Sequence, residues 1–266
     1  MDADKPLGRT ITGYATTGLA LLLAFLPREA TAAAAPATGT VGDREAASIA
    51  PYFWLPDIGG SVRFAGVAVP VSLARSELLG GAHNGAMAYA RWQRGGRFAY
   101  AEGIYMHFAD HRFAPFFDQS LNSTVRFGEL GGGLQRALAR DGRPWLAVWA
   151  YGGLRLTRID AAVSGAALTT ASSDTWVDPV VGLVLARPLS RRLALQFKLD
   201  GAGVGFSHND YVSAQGLLEW RLRPRWSLAA GYRWSSAVYR STDGLNFSLE
   251  GRGPVLALRY VAPAAP

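Results

Sequence analysis

Between residues 225 and 239 the side chains change character at every step. Trp226, Leu228, Ala230, Tyr232, Trp234 and Val238 occupy one parity, and Ser227, Ala229, Gly231, Arg233, Ser235 and Ala237 occupy the other. Successive residues of a β-strand point to opposite faces, so a period of two selects a strand over a helix, whose period is about 3.6. The preceding segment repeats the pattern, with Val212, Ala214, Gly216, Leu218, Trp220 and Leu222 opposed to Ser213, Gln215, Glu219 and Arg221. From 192 to 203, Leu193, Leu195, Phe197 and Leu199 oppose Gln196, Lys198 and Asp200. One face of each strand suits lipid, and the other suits a polar or tightly packed lumen.

Less regular strands fit around 46–56, 84–94, 97–109, 122–138, 144–158, 174–187 and 245–261, which brings the expected total to ten. Short turns at Arg94 to Gly96, Arg140 to Arg143, Ser190 to Arg191 and Arg223 to Pro224 alternate with longer connections at 57–83, 110–121, 159–173, 204–209 and 240–244. Short periplasmic turns and longer outer loops are the habit of outer-membrane barrels, and place both termini in the periplasm. The expected fold is therefore all-β, a transmembrane antiparallel up-and-down β-barrel of about ten strands, with eight and twelve as alternatives. A soluble β-sandwich also alternates, but it would expose far more outward aromatic surface than water tolerates. Trp92, Phe98, Trp145, Trp220, Trp226 and Tyr260 lie near the short turns and are expected to form a periplasmic aromatic girdle. Ser61 to Phe64 and Val67 to Leu73 are each short, so they read as a hairpin projecting outside rather than as two more crossing strands.

Two segments resist the simple pattern. The apolar parity of 97–109, Phe98, Tyr100, Ile104, Met106 and Phe108, also carries Glu102. If that parity faces lipid, a bulge must turn the carboxylate inward, because a buried unpaired charge is costly. Near Gly251 to Pro254 the outward set changes from Phe247 and Leu249 to Leu256, Leu258 and Tyr260, which calls for a second bulge.

At the N-terminus, Lys5 and Arg9 precede an apolar core from about Thr17 to Leu26, and Ala30-Thr31-Ala32 supplies the small residues a signal peptidase reads. Residues 1–32 are expected to be a cleaved export signal, 33–45 a disordered linker rich in Ala and Pro, and 46–262 the barrel. No stretch approaches the roughly 20 apolar residues of a membrane-spanning helix. The 266-residue chain has no cysteine, so disulfides and thiolate chemistry are excluded, and no cofactor is implied. Its formal charge of +7 is spread over isolated Arg residues without a basic stripe or tail, a pattern that suits contact with lipopolysaccharide rather than nucleic acid. The expected partners are outer-membrane lipid and the barrel-assembly machinery; nothing in the residues specifies an oligomeric state.

The run Pro51-Tyr52-Phe53-Trp54-Leu55-Pro56-Asp57-Ile58-Gly59-Gly60, with Val69-Pro70-Val71, Leu78-Leu79, Trp176-Val177-Asp178-Pro179-Val180-Val181-Gly182 and Gly253-Pro254-Val255-Leu256, resembles a family of uncharacterised proteobacterial outer-membrane barrel proteins. The resemblance spans nearly the whole mature chain and implies an outer-membrane barrel. It implies no activity and supplies no functional residues. The chain departs from the common outer-membrane ending, since Val261 to Pro266 stand where a terminal aromatic is usual.

Arg91, Glu129, Arg155, Asp178, Lys198, Asp200, Glu219, Arg221 and Arg233 all have lumen parity, and mixed charges there are expected to pair across strands or to line a narrow polar passage. The four histidines, His83, His107, His111 and His208, are candidates for a general base at the outer rim. Ser207, His208 and Asp210 supply the residue types of a catalytic triad, but neighbours on one turn seldom converge as such groups must. His107, Asp110 and His111 have metal-ligating chemistry in a strand-to-loop setting where their directions diverge. Gly201, Gly203 and Gly205 lack the following helix of a phosphate loop, and Gly131 to Gly133 fit strand bending or interior packing. The expectation is a non-enzymatic barrel with a structural role or a narrow passage for small polar solutes. The alternatives are a rim-located lipid-modifying enzyme and a surface receptor or adhesin using the 57–83 connection.

Overall fold

The computed structural model describes residues 46–64, 67–80, 84–114, 117–140, 143–165, 169–203, 209–240 and 246–262. The expected export signal and linker lie outside the described residues. The strands are β1 (Ala46–Trp54), β2 (Asp57–Phe64), β3 (Val67–Leu73), β4 (Asn84–Arg94), β5 (Arg97–Ala114), β6 (Phe117–Arg140), β7 (Arg143–Gly165), β8 (Thr169–Pro188), β9 (Leu193–Ala202), β10 (Asn209–Arg223), β11 (Trp226–Arg240) and β12 (Asn246–Val261), with a short helix α1 (Arg75–Gly80) before β4.

β1 and β4 to β12 pair with their neighbours in order, and β1 returns to β12 through Ser48 opposite Val261 and Trp54 opposite Val255. Ten antiparallel strands therefore close a barrel, and closure leaves the transmembrane wall without a free edge. Outward side chains such as Leu130, Leu154 and Val181 are 59–69% exposed, surface that only lipid can cover favourably. Trp92, Trp145, Trp220 and Trp226 stand exposed at the short-turn end, with Tyr260 against the Trp226 ring, and form the aromatic girdle there. At the first of those turns, Gly95 and Gly96 have φ of 54° and 75°, as a two-residue hairpin connection of the primed type requires.

The outer half differs from the sequence reading in three respects. β5 to β8 run on through most of the segments expected as long loops; the 24 residues of β6 reach roughly 80 Å along the strand, far beyond an apolar band about 25 Å tall. No bulge occurs near Gly251, because the β11–β12 register is continuous from Trp226 opposite Tyr260 to Arg240 opposite Asn246. Phe247 and Leu249 face inward, and Ser248, Glu250 and Arg252 face outward, since this part of β12 lies above the lipid and meets water. Nor does a bulge occur at Glu102. β5 holds its register with β4 and β6 there, and Phe98, Tyr100, Glu102 and Ile104 are all buried in the interior. Small Ala99, Ala101 and Gly103 are its lipid side, so Phe98 is an interior residue and not a member of the girdle.

β2 and β3 form the expected hairpin, at the end of the barrel opposite the short turns, but it does not stand free. β2 pairs with β12 from Arg252 opposite Asp57 to Asn246 opposite Arg63, where β1 has already ended. The hairpin thus continues the wall above the shorter β1 and β4, and β3 approaches β5 across the top. Asp57 and Arg75 form an ion pair at its base, strengthened by the Arg75 backbone N–H donating to Asp57 Oδ1 at 2.9 Å. The Arg75 guanidinium and backbone amide hold the Asp57 carboxyl down at about 2.

Candidate functional site

Strand parity delivers all nine expected charged residues to the interior. Glu129, Arg155, Asp178, Asp200, Glu219 and Arg233 are buried, and Arg91, Lys198 and Arg221 are half-buried on the same inward rows. Burying that many ions is tolerable only if each finds a partner. Arg155 Nε and Nη2 donate to Glu129 Oε2 at 2.9 and 2.6 Å, and the Tyr100 hydroxyl donates to Glu129 Oε1 at 2.8 Å. Lys198 Nζ lies 3.1 Å from Glu102 Oε2 and 2.9 Å from Asp200 Oδ2. Glu102 Oε1 accepts from the Tyr52 hydroxyl and lies 3.8 Å from Arg233 Nη1, whose Nη2 donates to the Tyr211 hydroxyl at 2.7 Å. Nearer the short turns, Arg259 pairs with Glu219.

These contacts cross the lumen. Glu102 stands on β5, Lys198 on β9 and Arg233 on β11, each four strands from β5 around the ring of ten. Aromatic rings fill the space between the ions. Arg155 lies 4.0 Å from the Tyr211 ring centroid, Arg233 lies 5.0 Å from that of Trp54, and Tyr100 meets Tyr151 edge-on at 5.0 Å. Glycine makes room for them: a Cβ on Gly131 would fall 2.7 Å from Tyr100 Cε1, and one on Gly182 would fall 2.1 Å from Tyr151 Cζ. Gly131 therefore serves interior packing.

The belt divides the interior into two chambers. The one toward the short turns, about 130 Å³, is lined by Arg91, Gln196, Gln215, Glu219, Arg259 and aromatic residues of β4, β5 and β7. The outer one, about 270 Å³, has Trp54, Arg155, Asp178, Tyr211 and Arg233 at its base. Its walls are mostly apolar, with Val62, Val71 and Leu73 from the hairpin and Phe108, Phe127, Ile159 and Leu249 from the barrel. At its mouth Tyr239 stacks between Trp176 and Phe247, at 4.3 and 5.2 Å.

Among the rim candidates, His107 and Asp210 have described side chains. His107 has the outward parity of β5, and its Nδ1 lies 2.9 Å from Thr124 Oγ1 on β6. Asp210 lies 3.9 Å from Arg240. His83, Ser207 and His208 lie outside the described residues, as do the side chains of Asp110 and His111. The sequence reading missed Glu102 and Tyr52, the two residues that knit the belt together. Charge was the available signal for Glu102: it assigns the whole parity of Phe98 and Tyr100 to the lumen, whereas their aromatic character had pointed to lipid.

No protein-family model and no curated protein matches the chain. Among solved structures it is similar to the outer-membrane protease OmpT of Escherichia coli, at 13% identity over 83% of this chain and 97% of that one, with a TM-score of 0.49. It is also similar to Ail, the attachment invasion locus protein of Yersinia pestis, at 8% identity over 81% and 99% of the two chains and a TM-score of 0.34. The translocator domain of the autotransporter NalP of Neisseria meningitidis is 15% identical over 84% and 90%, with a TM-score of 0.34. The chain is an outer-membrane-type β-barrel. The closed ring of strands and its apolar exterior carry that assignment.

Proposed function

We propose that this protein is an integral barrel of the bacterial outer membrane with a closed interior, a structural component of the envelope that neither conducts solutes nor catalyses a reaction. The observation that carries the reading is the belt of Glu102, Lys198, Asp200 and Arg233, whose ion pairs join walls four strands apart. A solute moving through would have to separate buried, paired ions, at several kcal/mol for each pair broken. The basic surface and apolar band suit a setting among anionic lipopolysaccharide, with the short turns in the periplasm. The expected passage for small polar solutes is weakened by the same belt.

Single-channel recording on residues 33–266, refolded into a planar bilayer after a heat-modifiable gel shift has verified folding, tests this. The expected result is silence at moderate voltage. Steady conductance steps that change when Arg155 or Arg233 is replaced would overturn the closed reading and turn attention to solute screening.

A further inference from the structure

The chamber toward the short turns holds more positive than negative charge. Its lining carries Arg91, Lys198 and Arg259 against two carboxylates, Glu102 and Glu219. Lys198 and Glu102 are joined in the belt, and Arg259 is joined to Glu219. Arg91 is the cation left over. Among the described residues its guanidinium has no hydrogen-bond acceptor and no carboxylate partner, and it lies 5.6 Å from the centroid of the Trp149 ring. It is half-buried and lines the free space, so it faces the chamber rather than the packed wall. A cation partly withdrawn from water without a counter-ion is unfavourable, and a guanidinium is best satisfied by a planar carboxylate that accepts two parallel hydrogen bonds. The remainder of the wall is mostly apolar, with Ala50, Phe98, Trp149, Val184, Leu217 and Val255.

We infer that this inner chamber is a binding site for a small monocarboxylate with a compact apolar body, benzoate in chemical class, with its carboxylate on Arg91 and its body against the apolar wall. Three features select this occupant. One uncompensated guanidinium calls for one negative charge, whereas an amine would add to the excess already present. The apolar wall gives an inorganic oxyanion nothing in exchange for the water on its remaining oxygens, while a hydrocarbon ring gains by leaving water. The volume of about 130 Å³ is well below the roughly 300–1,000 Å³ of drug-sized sites, and so limits the body to one ring or a short chain. The chamber lies on the short-turn side of the belt, so binding there is independent of whether the lumen conducts.

The test is equilibrium dialysis of the refolded barrel, in phosphatidylcholine nanodiscs at neutral pH, against radiolabelled benzoate, with benzamide, benzylamine and acetate as competitors. Empty nanodiscs supply the baseline, and the heat-modifiable gel shift verifies that each variant is folded. The expected result is saturable binding that unlabelled benzoate displaces and the three competitors displace far less well. Arg91→Gln, which removes the unpaired charge and breaks no ion pair among the described residues, should weaken binding roughly tenfold or more. Ala257→Phe fills the chamber and should abolish binding, and Arg158→Gln on the exposed exterior should leave it unchanged. No saturable signal above empty nanodiscs, or the same affinity in Arg91→Gln or in Ala257→Phe, would overturn the site. Equal displacement by benzamide would overturn the role given to charge, and equal displacement by acetate the role given to the apolar body.

Discussion

Glu102 shows how one side chain can reverse the reading of a strand. Seen by apolar content, its parity on β5 belongs to lipid; seen by charge, it belongs inside, where Tyr52, Lys198 and Arg233 surround the carboxylate. The ion settles the direction because a lipid-facing carboxylate costs far more than a row of aromatic rings turned inward. Removing it leaves Arg233 and Tyr52 buried without their shared acceptor. Glu102→Ala should therefore lose about 3–5 kcal/mol of barrel stability, read from the urea midpoint of the heat-modifiable gel shift. Arg158→Ala should leave that midpoint nearly unchanged, since the Arg158–Asp160 pair lies at the exposed outer surface and is screened by water. Inward charges such as Lys198 and Asp200 were legible from parity alone, because the opposite face of their strand, with Leu195 and Leu199, is plainly aliphatic.

The hairpin of β2 and β3 is the element with the least lipid or core to hold it. Its fixed points are the ladder to β12 and the ion pair of Asp57 with Arg75. Because Asp57 in the folded protein titrates at about 2, below an ordinary carboxylate near 3.8, its contribution is complete above the ordinary value. That contribution declines as pH falls below it and is gone once pH passes about 2. Hydrogen-exchange protection of β2, corrected for intrinsic rates, should hold from neutrality to about pH 4 and fall between pH 4 and 2, ahead of the transmembrane strands. Asp57→Asn should show the reduced protection already at neutral pH; equal protection in variant and wild type would remove the ion pair as the hairpin's anchor. The shortness of the two pieces was readable in advance, but their pairing with β12 was not. That pairing arises because β1 stops at Trp54 while β12 continues, leaving ladder groups that need partners.

For the whole molecule, the distribution of turns and strand lengths predicts the direction of insertion, with the short turns in the periplasm. The chain has no cysteine, so single-cysteine variants report topology cleanly. Ser61→Cys in the hairpin should react with a membrane-impermeant maleimide on intact cells, and Arg191→Cys in a short turn only after the outer membrane is permeabilised. The reverse pattern would invert the orientation. Alternation with a period of two was sufficient to determine a barrel of about ten strands, its lipid and lumen faces on β9 to β11, and the inward charges, because strand parity is a local property that each segment carries by itself. Tertiary structure alone decided which inward ions meet and that a mostly apolar chamber lies to one side of them. Glu102 and Lys198 are 96 residues apart. Their meeting depends on how many strands close the ring and on the register of each, relations among distant segments that no single stretch of sequence contains.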